Sequence, residues 1–305
     1  MLTLLALCFS AVPLSAQTIW DGTADVSWYD ASETSFDIST PEQLAGVAQL
    51  VNNGTTSFNG KTLNLTADLW LNSTGDSTNN WVPIGGGSPT SESPSTGSAF
   101  KGNFNGHGYA IYNLYCDKGS TFHAGLFCAL ENPCTIDSLV LYNPVLKSRG
   151  MMGCITGYPR GSSSIYIRHC LVVNARIVGE NSNGSNNIGG ICGATYPNSG
   201  STYIQNCGVT GSITGYYPAG IAGNAERSYI TNAYFCRHTL LLRHELRRHD
   251  RAWRQPHELL LLHRNSEFHH AILRIFPRHA SLAGGQNVFS KTDVLNDCMP
   301  YILPL

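Results

Sequence analysis

Gly190-Ile191-Cys192-Gly193 followed by Ile204-Gln205-Asn206-Cys207-Gly208-Val209, then Gly220-Ile221-Ala222-Gly223 followed by Ile230-Thr231-Asn232-Ala233-Tyr234-Phe235, states one short pattern twice. Its second half recurs upstream as Ile111-Tyr112-Asn113-Leu114-Tyr115-Cys116, Ile136-Asp137-Ser138-Leu139-Val140-Leu141 and Ile167-Arg168-His169-Cys170-Leu171-Val172. Apolar residues fall at positions 0, +3 and +5 of this unit, with Asn113, Ser138, His169, Asn206 or Asn232 at +2. A plain strand alternates with period two, so the change of parity between 0 and +3 marks a chain that turns a corner at the polar residue. Asn suits such a corner because it tolerates unusual backbone angles and bonds to nearby backbone groups.

The position-0 residues lie 25, 31, 37 and 26 residues apart, in the range that marks stacked repeat architectures. Two short strands, a Gly-rich turn and a variable loop make about one coil of a parallel β-helix. Stacking like on like places Ile111, Ile136, Ile167, Ile204 and Ile230 in one inner ladder. The pairs Gly190/Gly193 and Gly220/Gly223 mark a second, tight corner where a Cβ would be in the way.

The Gly-Ile-Cys-Gly and Gly-Ile-Ala-Gly elements, each with Ile-x-Asn a few residues on, resemble the GLUG repeats of bacterial surface proteins. Gly125-Leu126-Phe127-Cys128 and Cys154-Ile155-Thr156-Gly157 resemble degenerate copies, so the resemblance covers roughly residues 20 to 235. It implies a β-solenoid on a secreted or surface-attached protein and no particular activity.

The rest of the chain is read around these repeats. Charged residues make up 13%, Gly is abundant (31 residues) and the net charge is −1, which suits a β-rich extracellular protein better than a helical cytosolic enzyme. Residues 1–16 read as a signal peptide, too short to span a bilayer. Residues 17–84 read as an N-terminal cap that seals the first coil. Within it Thr40 is the N-cap, Pro41 the first helical residue and Gln43 the partner in a capping box, with Leu44, Val47, Ala48 and Val51 on one helical face. Lys61 to Leu71 alternates as a strand pair should, and Trp20, Trp28, Trp70 and Trp81 are expected to fill the cap. Residues 85–100 form a Gly/Ser/Pro-rich surface loop that lacks the Gly-Lys-Ser/Thr of a phosphate loop. The coils occupy 101–235, and 284–305 is a C-terminal tail.

Residues 236–283 break the style. They hold nine of the 14 Arg and eight of the 11 His, with no Gly and no Lys. A basic helical module, a disordered or nucleic-acid-binding insert, and coils read in a shifted frame compete. The frame shift is favoured because the break falls where another Gly-x-x-Gly is due. His244-Glu245-Leu246-Arg247-Arg248-His249 spaces its histidines at i and i+5, not the i and i+4 that place two His on one helical face around a zinc ion.

Cys116, Cys170 and Cys207 occupy inward positions and Cys192 lies within a Gly element, as small core fillers. A Cys170–Cys207 disulfide between coils is the alternative in an oxidising compartment. A β-helix lyase or hydrolase would need clustered carboxylates, and Asp117, Glu131, Asp137, Glu180 and Glu226 recur at no single repeat position. Tyr-Pro recurs beside the Gly elements, so Tyr158, Tyr196, Tyr216 and Tyr217 are candidates for stacking on sugars from coil-edge loops. The competing role for them is to cover the solenoid edge. The sequence thus predicts an all-β chain: a right-handed parallel β-helix with a helix/strand cap, irregular or helical over 236–283. It requires no cofactor or metal. Its expected role is a monomeric, non-catalytic secreted or cell-surface adhesion module for glycans or host surface proteins, with no nucleic-acid partner and no membrane span. The runner-up roles are a polysaccharide-active enzyme and a purely structural stalk.

Overall fold

A computed structural model of the chain describes residues 18–237 apart from 87–98, 120–122, 132, 162, 181–186, 196–199, 216–217 and 227. The described chain is mostly β, and every strand pairing in it is parallel. The signal-peptide region, most of the 85–100 loop, the basic window from residue 238 and the tail lie outside the described residues.

Four sheets organise the strands. A seven-stranded sheet runs, neighbour to neighbour, through Ser35–Ile38, Thr62–Leu65, Asn103–Asn105, Cys134–Asp137, Ile165–Arg168, Thr202–Gln205 and Ser228–Thr231. An eight-stranded sheet runs through Leu69–Trp70, Ala110–Tyr112, Val140–Tyr142, Leu171–Gly179, Gly208–Thr214 and Tyr234–Arg237, with Tyr115–Asp117 and Val145–Ser148 alongside. Two four-stranded sheets carry the Gly elements. One joins His123–Ala124, Met151–Met152, Ile188–Gly189 and Pro218–Ala219; the other joins Phe127–Glu131, Thr156–Arg160, Cys192–Ala194 and Ala222–Asn224. Successive repeats therefore lie side by side, each adding a strand to each sheet.

Register turns the sequence pattern into columns. Phe36, Leu63, Phe104, Ile136, Ile167, Ile204 and Ile230 are successive partners across the seven-stranded sheet. Leu69, Ile111, Leu141, Val172, Val209 and Phe235 are partners across the eight-stranded one. Both columns are buried up to the last layer, where Ile230 and Phe235 are half-buried. Each buried Leu, Ile or Phe contributes roughly 1.5–3 kcal/mol.

Ile111 therefore corrects the expected ladder. It pairs with Leu141 in the eight-stranded sheet, and Phe104 takes its place beside Ile136. The reason is local. Two kinds of corner are built on a non-glycine residue with positive φ, the first in five layers and the second in three. The first corner uses His107, Ser138, His169, Asn206 and Asn232 (φ 49–55°), the second Asn113, Asn143 and Asn174 (φ 52–56°). A window of apolar-x-Asn-x-x-apolar fits either corner, and Ile111-Tyr112-Asn113 is the second. All five polar residues assigned to a bend do adopt left-handed backbone.

The helix Pro41–Asn52 carries the expected capping box. Gln43 N donates to Thr40 Oγ1 (3.2 Å) and Thr40 N donates to Gln43 Oε1 (3.3 Å). Its buried face holds Leu44, Val47, Ala48, Leu50 and Val51. The strands that follow are not a pair: Thr62–Leu65 joins the seven-stranded sheet and Leu69–Trp70 the eight-stranded one, so layering begins well before residue 101. Trp20 and Trp81 are buried edge to face at 5.7 Å, and Trp28 packs on Phe36 and Phe58. Trp70 departs from expectation. Leu69 and Leu71 point inward, which turns Trp70 outward onto Tyr112.

Candidate surface sites

Each outward row follows from an inward one, because residues on either side of a buried position face solvent. Beside the buried Ile column of the seven-stranded sheet, one outer row reads Ser35, Thr62, Asn103, Thr135, Tyr166, Tyr203, Tyr229. The row beyond it reads Asp37, Asn64, Asn105, Asp137, Arg168, Gln205, Thr231. Tyr166 and Tyr203 stack at 5.0 Å (17°), Tyr203 and Tyr229 at 4.9 Å (12°). On the eight-stranded sheet Trp70, Tyr112 and Tyr142 stack at 4.8 and 5.0 Å within 7° of parallel. Parallel strands about 4.8 Å apart set these ring spacings.

Of the tyrosines singled out from sequence, only Tyr158 lies among the described residues. Tyr158 lies in the strand Thr156–Arg160, opposite Ala129, half-buried against the His123 ring at 5.7 Å. It is not on a coil-edge loop, because Pro159 sits inward in a strand that pairs through its flanking residues. Tyr196, Tyr216 and Tyr217 lie outside the described residues. The signal for the exposed ladder was present as Tyr-Ile at 166–167, 203–204 and 229–230: an inward Ile obliges its neighbour to face out.

Three of the four repeat glycines (Gly190, Gly193 and Gly223) sit against the backbone of an adjacent layer, and Gly220 sits against the Phe235 side chain. A Cβ on Gly190 would lie 2.3 Å from Gly220 O, on Gly193 2.6 Å from Gly157 O and Met152 N, on Gly220 2.5 Å from Phe235 Cβ, and on Gly223 2.3 Å from Ile188 N.

Both corners carry polar ladders. At the second, Asn174 Nδ2 donates to Asn143 Oδ1 (2.9 Å), Asn143 Nδ2 to Asn113 Oδ1 (3.1 Å) and Asn113 Nδ2 to Asn72 O (2.8 Å). At the first, Asn232 Nδ2 donates to Asn206 Oδ1 (3.1 Å), and Asn206 Nδ2 lies 3.2 Å from His169 Nε2. His169 Nδ1 lies 2.9 Å from Asp137 Oδ1. A carboxylate only accepts, so Nδ1 carries the proton and the whole ladder donates toward Asp137. Ser138 Oγ and Arg168 Nε donate to the same carboxylate at 2.9 and 2.7 Å.

Burial alone would raise the Asp137 carboxyl, but the bonds from His169, Ser138 and Arg168 outweigh it and hold it below its ordinary value. A carboxyl lowered in the folded state stabilises the fold above its unfolded value, about 3.9, and that contribution is lost as pH falls through the folded value. Asp137→Asn is therefore expected to flatten the acid limb of the stability profile below about pH 4, as read from thermal melts between neutral and strongly acid buffer. An unchanged acid limb would mean that the ladder does not hold the charge.

Asp117 is likewise lowered. Burial opposes this, and bonds from Tyr115, the Gly119 amide and Lys147 prevail. Lys147 Nζ is 3.3 Å from its Oδ2, and Glu131 contacts Lys101 and Arg160 at 3.1 and 3.6 Å. Among the described residues no group of three or more His, Cys, Asp or Glu can hold a metal ion. Cys116, Cys128, Cys134, Cys154, Cys170, Cys192 and Cys207 are free and buried, and Cys236 is disulfide-bonded. Burial pushes the Cys116 and Cys128 thiols up to about 11 and about 12. Cys170 and Cys207 are not joined by a disulfide here, and their thiols donate to backbone carbonyls.

These features define, over the described residues, a mostly β structure of parallel sheets whose outer faces carry stacked rings, hydroxyls and amides. Over 181 residues it is 27% identical to halomucin of Haloquadratum walsbyi (strain DSM 16790 / HBSQ001). That stretch is 59% of this chain and 2% of halomucin. No family model matches the chain, and no solved structure matches it. Among the described residues no helix is long and apolar enough to cross a membrane.

Proposed function

We propose that the chain is a non-catalytic interaction module of a secreted or surface protein. It is built as a right-handed parallel β-helix of GLUG-type repeats, closed at its N-terminal end by the helix Pro41–Asn52. The observation that carries this reading is the continuous register of both apolar columns from Phe36 to Ile230 and from Leu69 to Phe235. Successive layers in one register, with all their bonds parallel, are what a coiled chain produces. Outside a closed fold, strands returning in the same direction need long crossovers.

The surface chemistry favours binding over catalysis. A general acid for glycoside cleavage needs a raised carboxyl beside a second one. Asp117 and Asp137 are instead lowered and paired with cations, the setting of structural ion pairs. The likeness to a stretch of halomucin accords with a place outside the cell. A surface of aromatic rings, hydroxyls and amides suits sugars, whose C–H faces pack on rings and whose hydroxyls pair with amides.

The test is a glycan array read with the full chain, together with assays for reducing ends and unsaturated products. Retention of a glycan without product is expected. Product formation would replace the module by a polysaccharide-active enzyme. Neither retention nor product would leave a structural stalk.

A further inference from the structure

The tyrosine ladder ends in a step. Tyr203 is stacked on both faces, by Tyr166 and by Tyr229. Tyr166 has Tyr203 on one face only; its partner on the other side is Thr135, followed by Asn103. A threonine side chain is too short to cover an aromatic ring. Tyr166 is 36% exposed, and Tyr229, singly stacked at the other end of the ladder, is 55% exposed. Thr135 and then Asn103 are the next residues along the row on that side.

Charge narrows the occupant. The row from Ser35 to Tyr229 contains no charged residue. In the adjoining row the nearest charges, Asp137 and Arg168, are paired at 2.7 Å. The step offers neither the unpaired cations that phosphates or sulfates require nor an apolar expanse suited to lipid. It offers one aromatic face, followed along the row at the strand spacing by Thr135, Asn103, Thr62 and Ser35, all uncharged hydroxyl or amide side chains.

We propose that this step binds an uncharged polysaccharide, with the C–H face of one pyranose on the open face of Tyr166 and its hydroxyls on Thr135 and Asn103. The polymer runs along the uncharged row across the strands. The proposal rests on the interaction-module reading above and gives it a site away from the Tyr-Pro elements.

The experiment uses the full chain and a panel of soluble uncharged glucans, mannans and xylans, with a sulfated glycan as anionic control, read by affinity electrophoresis. Tyr166→Ala removes the ring. Thr135→Leu keeps it but covers its open face with an aliphatic side chain that offers no new ring, so loss of binding in that variant is not loss of an aromatic. Circular dichroism confirms that both variants are folded. Binding of an uncharged polymer by the parent, weakened at least about tenfold in both variants and unchanged in Tyr158→Ala, is the expected result. Equal binding by parent and both variants would overturn the site while leaving the module reading intact. Binding of the sulfated glycan alone would overturn the assignment to an uncharged ligand. Retention of no glycan would remove both the site and the glycan reading. Self-association of the chain that Tyr166→Ala abolishes would make the occupant a second copy and overturn the proposal.

Discussion

Gly193→Ala is expected to destabilise the chain by about 3 kcal/mol or more, a fall in melting temperature on the order of 10 °C for a chain of this size. The added Cβ would meet Gly157 O and Met152 N at 2.6 Å and Met151 C at 2.9 Å. All three are backbone atoms of the preceding layer, so relief requires the layers themselves to move apart, at the cost of parallel hydrogen bonds on that side of the repeat. Gly75→Ala is the control. Its φ is +81° and nothing lies within 4 Å, so only backbone strain of about 1–2 kcal/mol applies. Differential scanning fluorimetry of the two variants separates the mechanisms. Similar small shifts in both would mean that the layers are not as close as the carbonyl and amide positions place them.

Ile204→Ala is expected to cost about 2–5 kcal/mol, because Ile204 is fully buried between Ile167 and Ile230. Ile230→Ala should cost less, since Ile230 is only half-buried. The sharper form of this prediction concerns register. Ile111 and Leu141 are direct partners, as are Phe104 and Ile136. Double-mutant cycles in urea should give a coupling of about 0.5–3 kcal/mol within each of those pairs and little between Ile111 and Ile136. Coupling of Ile111 to Ile136 instead would restore the single isoleucine ladder and contradict the observed register.

Much of the layering was legible in the sequence because a corner leaves a local mark. A parity change around Asn, Ser or His identified five residues that take positive φ. The capping box Thr40/Gln43 was legible for the same reason: its chemistry lies within four residues. What was not legible depends on partners far along the chain. Ile111 matches the repeat unit as well as Ile136 does, and only pairing across layers tells the two corners apart. Phe104 escapes the repeat unit because its corner, Asn105 to Tyr109, is two residues longer than Asp137 to Leu139 and hides the shared spacing. The strands at 62–65 and 69–70 read as a pair of their own because alternation reveals a strand but not its neighbour.

The surface was less legible than the core. Tyr-Pro stands out in the sequence because Pro interrupts strands, yet Tyr158-Pro159 lies within one. The Tyr-Ile triplet carried no such flag, and its meaning emerges only when Ile167, Ile204 and Ile230 are known to lie in register. The polar ladder ending on Asp137 is still more remote. No spacing announces that His169 and Asp137, on different layers, share a proton, and Asn206 and Asn232 extend that chain over two further layers.

The strands from Ser35–Ile38 to Ser228–Thr231 pair in parallel as one continuous seven-stranded sheet. Thr62 and Tyr229 occupy the same outer row, five strand spacings apart through Asn103, Thr135, Tyr166 and Tyr203. Spin labels carried on unnatural amino acids at positions 62 and 229, read by double electron–electron resonance, test that arrangement directly. One narrow distance distribution centred near 24 Å, five times the interstrand spacing of about 4.8 Å, is the expected result. A broad distribution, or a centre displaced by a full layer or more, would contradict the stack.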